Sequence, residues 1–179
     1  MRVVSAQVGI EPMRIGDLDV IEAIDRRCFP QPWQRSVYEV ELSNRAACYL
    51  IARMGQAIVG YGGAWVIGDE AHLTTLAVDA PHRGARIGER LLLCLMEEAV
   101  MRRASHVTLE VREGNCPAQH LYRKYGFRNA AVRRNYYIDT GEDAIVMWAD
   151  AIHTVVYRQR LYELRQQLDS LSVPEDEAS

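Results

Sequence analysis

Nothing in the 179-residue sequence has the spacing of a metal site or a dithiol redox motif, since C-x-x-C, H-x-x-x-H and H-E-x-x-H are all absent. The four cysteines, Cys28, Cys48, Cys94 and Cys116, are scattered, as expected of thiols kept reduced. Neither G-x-x-x-x-G-K-[ST] nor G-x-G-x-x-G occurs, which argues against a nucleoside-triphosphate loop and a dinucleotide fingerprint. No sign of charge is in excess: Lys plus Arg number 21 and Asp plus Glu 24, and Glu175, Asp176 and Glu177 supply the difference. That balance gives no reason to expect nucleic-acid or membrane-surface binding. The longest apolar run, Leu91 to Met96, is far below the ~18 to 20 residues of a bilayer span, and the N-terminus lacks a signal-peptide core. A cytoplasmic location is expected. No internal repeat is present.

What is there suits one domain with a sizeable core, with 49% hydrophobic and 25% charged residues. The spacing predicts a short strand over Ile10 to Arg14. A helix capped by Asp17 follows, with Val20, Ile21, Ile24 and Cys28 at helical steps, ending near Phe29-Pro30. A second short helix is expected from Trp33 to Leu42, with Trp33, Val37, Val40 and Leu42 facing the core or a cleft. Tyr49 to Arg53 and Ile58 to Ile67 read as a hairpin around Met54-Gly55-Gln56, and Ala71 to Val78 as a third strand. Ile87 to Arg103 repeats apolar residues at three- and four-residue steps, the mark of an amphipathic helix. A strand over Val107 to Val111 and a helix over Cys116 to Tyr125 come next, the helix capped by Asn115 and ended by Gly126. Ala131 to Ile138 and Ala144 to Trp148 read as two strands around Thr140-Gly141. Strands and helices so mixed imply an α/β layer fold with a mixed sheet.

Beyond Asp150, Thr154, Tyr157, Leu161, Leu164, Leu168 and Leu171 form a heptad-like seam. The expected organisation is a domain over 1–150, a helical extension over 151–173 and a disordered acidic tail over 174–179. The seam needs cover from the domain itself, from a second copy in a homodimer, or from another protein.

Two stretches can carry chemistry. In the first, a strand ends in LAVD, a loop rich in small and basic residues follows, and a helix starts near Ile87. Free N–H groups at a helix N-terminus suit a phosphate, although an ordinary exposed connection would look the same. In the second, LEVREGNCPAQHLYRKYGF, Glu110 lies on a strand and Tyr122 on the next helix. Two proton-transfer groups could converge there, while a solvated strand face and a core aromatic are the plainer readings.

Together the LAVD strand end, the RGARIG loop, the long helix and the N-x-x-A-x-x-L-Y-x-x-x-G-F run resemble the acyl-CoA N-acyltransferase (GNAT) superfamily. DEAHLTTLAVD, LEVREGN, LYRKYGF, VRRNYY and EDAIVM resemble its bacterial RimI-type group, which acetylates the N-terminal alanine of a small-subunit ribosomal protein. The match runs from Gly9 to Asp150 and leaves the segment from Ala151 unexplained. The resemblance implies a mixed, mostly antiparallel central sheet flanked by helices, acetyl-CoA as cosubstrate, no metal, and a protein N-terminus as partner. It implies cofactor contacts on Leu76, Ala77 and Val78, on the loop Arg83, Gly84, Ala85, Arg86, Ile87 and Gly88, and on Asn115 for the pantetheine arm. The family's loop is written [QR]-x-x-G-x-[GA], and Arg86 stands where its inner glycine is usual.

The resemblance also implies roles. An α-amine with a reference pKa of ~8 is mostly ammonium at neutral pH and must lose a proton before attack. Glu110 matches the general base, acting through water, and Tyr122 the general acid for the departing thiolate. The Val78 N–H matches the oxyanion donor, and Tyr137, in the run Arg133 to Tyr137 beside the peptide groove, a substrate contact. Two alternatives stand beside this reading: an acetyltransferase for lysine or a small-molecule amine, and a non-catalytic acyl-CoA-binding module. Glu110 and Tyr122 count against the second, and the RimI-like segments against the first.

Overall fold

The computed structural model describes residues 8–171, so the acidic tail expected over 174–179 lies outside the described residues. Period-two stretches become the strands β1 (Val8–Pro12), β2 (Ala47–Met54), β3 (Ala57–Ile67), β4 (Glu70–Val78), β5 (His106–Arg112), β6 (Arg128–Tyr137) and β7 (Glu142–Ala149). The helices are α1 (Leu18–Cys28), α2 (Arg35–Ser43), α3 (Ile87–Met101), α4 (Cys116–Lys124) and α5 (Val155–Ser170). The strands form one sheet in the order β1-β2-β3-β4-β5-β7-β6, antiparallel throughout except between β4 and β5. This is the mixed, mostly antiparallel α/β layer fold that the sequence implies.

Helices cover both faces. On one, α1 buries Leu18, Ile21 and Ile24 completely, and α2 adds Tyr38, against Tyr49, Ile51, Tyr61 and Ala77. On the other, α3 inserts Leu92, Leu95 and Met96 into a core shared with Tyr122 and Tyr125 of α4. Two local expectations change. β1 spans Val8–Pro12 and ends before Arg14, because Arg14 already caps the 3-10 turn Ile15–Asp17 leading into α1. α2 begins at Arg35 and turns Tyr38 inward while Val37 and Val40 face solvent, so the apolar pair that packs is Tyr38 and Leu42, one helical turn apart.

α5 settles the seam. Tyr157, Leu161, Leu164 and Leu168 are buried in the α3–α4 core, while Leu171 remains exposed. Polar contacts reinforce the packing: the Tyr157 hydroxyl donates to the Tyr125 carbonyl at 2.7 Å, Arg160 to the Lys124 carbonyl at 2.6 Å, and Arg165 Nε to Glu97 at 2.8 Å. These four seam residues are thus covered by the chain itself.

One irregularity shapes the centre of the sheet. β4 and β5 pair only at Glu70–His106, Ala71–Val107 and His72–Thr108. Just beyond, the register of β3 with β4 steps from Ala64–Leu73 to Gly63–Thr75, which leaves Thr74 as a bulged residue. A bulge bends its strand and increases its twist, and from here β4 departs from β5 as far as Val78. The bulge is held by the Tyr49 hydroxyl, 3.1 Å from Thr74 Oγ1. The Tyr49 ring lies where Gly63 has no side chain; a Cβ there would stand 2.2 Å from it.

Candidate active site

The parting of β4 from β5 opens a wedge with a cleft of about 550 Å³ at its mouth. Leu76, Glu110, Asn115, Tyr122 and Tyr137 all line this cleft, so five of the site residues implied by the sequence are brought together from β4, β5, α4 and β6. The amide of Asp79 donates to the Val59 carbonyl at 2.9 Å. Alternation along β4 therefore turns the polar main-chain groups of Ala77 toward β3 and those of Leu76 and Val78 into the gap. The side chain of Ala77 is also buried, under α1, so this residue offers the wedge no group.

The loop after β4 presents main-chain N–H groups, while its two arginines are engaged with other groups of the protein. Gly84 at φ 82° and Arg86 at φ 56° both take the left-handed conformation and lead into α3, whose first N–H groups have no intrahelical partner. Arg86, in place of the usual glycine, bends back so that Nη1 lies 3.4 Å from Glu89 Oε2. Arg83 folds over the end of β4, with Nε donating to the Val78 carbonyl at 3.1 Å. Ile87 is a core residue, and a Cβ on Gly88 would meet Val78 at 3.5 Å, an ordinary contact. Asn115 caps α4 by accepting from the Ala118 N–H at 3.3 Å, which leaves its NH2 for the cleft.

Glu110 is neither solvated nor alone. Its side chain is 11% exposed, with Oε1 3.0 Å from Arg133 Nη1 and Oε2 3.2 Å from His72 Nε2. Tyr122 is buried between α4 and the sheet, its ring 5.8 Å from that of Phe127. No described residue hydrogen-bonds its hydroxyl. Burial, helped by the nearby Tyr137 phenol, pushes its pKa up to about 12, so it holds its proton throughout the neutral range. Tyr137 is likewise raised to about 12, chiefly by burial, with the Arg112 guanidinium 3.9 Å over its ring opposing the shift. Arg112 also pairs with Asp139 and Glu142, while Glu142 accepts from the Gly114 N–H at 2.7 Å. The β6–β7 hairpin is thereby tied to the loop that carries Asn115.

The wall facing Tyr137 comes from the α1–α2 connection, and sequence reasoning missed what fixes it. Asp25, 2% exposed, accepts from the Trp33 N–H at 2.6 Å and from the Tyr61 hydroxyl, which also meets the Tyr38 hydroxyl at 3.0 Å. The signal was available: Leu18, Ile21, Asp25 and Cys28 share one helical face, so an acid sits on an apolar stripe. Among the cysteines, Cys116 is exposed, and burial raises the Cys48 thiol to about 11, which leaves it a poor nucleophile. Among the described residues no cluster of His, Cys, Asp and Glu could hold a metal ion.

Comparison with known proteins agrees with this geometry. Residues 18–127 match the family model described as acetyltransferase (GNAT) family. The chain is 36% identical over 154 residues to the N-alpha-acetyltransferase RimI of Mycobacterium tuberculosis (strain ATCC 25618 / H37Rv), a match covering 79% of this chain and 94% of that protein. It is 32% identical over 140 residues to the [ribosomal protein bS18]-alanine N-acetyltransferase of Escherichia coli (strain K12), covering 77% of this chain and 94% of that one. A crystal structure of the ribosomal-protein-S18-alanine N-acetyltransferase from Escherichia coli superposes with a TM-score of 0.75 at 29% identity, over 81% of this chain and 94% of that chain.

Proposed function

The chain belongs to the acetyltransferase (GNAT) family, and on that premise we propose that it transfers acetyl from acetyl-CoA to the N-terminal amine, of alanine in a small-subunit ribosomal protein such as bS18. The observation that carries this reading is the wedge: a base and a phenol from different elements line one cleft where β4 leaves β5. The relatives' names supply the class of amine.

Acetyl-CoA fits the residues present. The main-chain groups of Leu76 that face the gap suit the amides of a pantetheine arm, as does the Asn115 NH2. The left-handed loop over Gly84 and Arg86 and the start of α3 suit the pyrophosphate. Glu110 takes the ammonium proton through a water, the freed amine attacks the thioester carbonyl, and the second nitrogen proton passes to solvent through the same water as the tetrahedral adduct collapses and CoA leaves as its thiolate. The Val78 N–H stabilises the negative charge that develops on that carbonyl oxygen. Tyr122 donates a hydrogen bond to the sulfur as the carbon–sulfur bond breaks. Complete proton transfer from a phenol at about 12 to a thiolate whose thiol has a reference pKa of ~8.5 is uphill by roughly 3.5 units, about 5 kcal/mol. Tyr122 therefore acts through the hydrogen bond that strengthens as charge builds on sulfur.

An α-amine at ~8 releases its proton more readily than a lysine at ~10.4, so near neutral pH it offers a hundredfold or more free base at equal concentration, roughly. A carboxylate base suits that easier task. The test is acetyl transfer to Ala-initiated peptides with free lysines, beside the same peptides blocked at the α-amine. Transfer to the free terminus alone is expected; lysine acetylation of the blocked peptides at the original rate would reassign the enzyme to lysine.

A further inference from the structure

We propose that His72 is a positioning residue for the reaction: held at Nδ1 by Thr108, its imidazole fixes one oxygen of Glu110 and leaves the other as the oxygen that exchanges Arg133 for the incoming amine. This rests on the reading of Glu110 as the base. His72 stands on the last rung that joins β4 to β5, opposite Thr108. Its Nδ1 lies 2.8 Å from Thr108 Oγ1 and its Nε2 3.2 Å from Glu110 Oε2. An ionised carboxylate can only accept, so Nε2 must carry a proton; the neutral ring is then satisfied at both nitrogens when the Thr108 hydroxyl donates to Nδ1. Thr108 is buried and reaches His72 from the neighbouring strand, so the tautomer and the ring plane are set by the sheet.

The two partners of Glu110 differ in how firmly they are held. The His72 side chain is 31% exposed and bonded at both ends, whereas that of Arg133 is 55% exposed. Arg133 projects from the part of β6 where the register with β7 breaks, just before Asn135 at φ 49°. A guanidinium so placed occupies the position of a substrate ammonium and exchanges with it at little cost, since one cation replaces another at Oε1. His72 would stay, holding the carboxylate in plane through the exchange. The other groups facing Glu110 are the Tyr137 phenol from β6 and the Tyr122 phenol from α4, both protonated at working pH. From β7, Val146 brings no charge, and Glu142 is turned to Arg112 and Gly114.

The experiment compares wild type, His72→Ala, His72→Gln and Thr108→Val on whichever amine the wild type accepts, with pH profiles of kcat/KM. A glutamine keeps an N–H to give Glu110 and an oxygen to take from Thr108. His72→Ala is expected to lower kcat about 10- to 100-fold, the scale of a misplaced reacting group. KM for acetyl-CoA should be unchanged. His72→Gln should recover most of the loss in kcat, and Thr108→Val should show a smaller loss than His72→Ala. Equal losses of kcat in all three variants, or a loss that appears in KM for acetyl-CoA instead of kcat, would overturn the positioning role. Failure of the Glu110 reading shows separately, as a Glu110→Gln enzyme whose pH profile matches wild type.

Discussion

Replacing Tyr122 by Phe isolates one atom. The hydroxyl has no hydrogen bond to a described residue, and the ring keeps its contact with Phe127 at 5.8 Å. Stability should therefore change by no more than about 0.5 kcal/mol. For a chain of this size that is a melting shift below about 2 °C. Catalysis should respond differently, because in the proposed mechanism the hydroxyl meets sulfur only as charge develops there. Losing one preorganised donor of that kind costs about 100- to 1,000-fold in kcat, or about 2.7 to 4 kcal/mol. Acetyl-CoA affinity should stay within about twofold, since the ground-state thioester sulfur is a weak acceptor. The assay is thiol release with an Ala-initiated peptide, with acetyl-CoA binding measured alongside. A second readout is pH: with the phenol held near 12, wild-type kcat should show no decline from this group through pH 10. A loss below threefold, or one that tracks weaker acetyl-CoA binding and a fall in melting temperature, would refute the reasoning and return Tyr122 to the core.

Glu110→Gln should lose most of its activity at pH 7 and regain roughly tenfold by pH 9, as the neutral fraction of an amine with pKa ~8 rises from about 9% to about 91%; a flat profile would indicate a structural carboxylate. Gly63→Ala places a Cβ 2.2 Å from the buried Tyr49 ring, an overpacking worth about 1 to 3 kcal/mol. Thermal unfolding should register it, while Gly16→Ala, with nothing within 4 Å of its Cβ, serves as the control. Leu161→Ala should cost about 2 to 4 kcal/mol in melting without changing the sedimentation coefficient, because α5 buries its seam on its own domain; altered association would mean the seam has an outside partner.

The periodic elements were legible. α3, α4, α5 and the β2–β3 hairpin appear where apolar spacing and turn residues put them, because each buries a face that its own sequence marks. α2 was less legible, since in nine residues Val37 and Val40 compete with Tyr38 for the inward face and only packing decides. Glu110 and Tyr122 could be singled out only through the family's motifs; as bare residues they read equally as a solvated strand and a core ring. His72, Thr108 and Arg133 could not be joined to Glu110 at all from one sequence, because their meeting depends on the β4–β5 register and on an irregular stretch of β6. Arg86 shows the converse, a visible departure from the family loop whose side chain proves to be occupied with Glu89.

The three rungs between β4 and β5 are the only main-chain ladder joining the β1–β4 half of the sheet to the β5–β7–β6 half among the described residues. The gap is closed at Glu70–His106 and open at Val78 and Arg112. The rung nearest the open end is His72–Thr108, two residues along β5 from Glu110. Beyond that rung no main-chain ladder sets the width of the gap among the described residues, and the two halves are spaced by side chains, with the core under α3 taking Leu73 from β4 and Leu109 from β5.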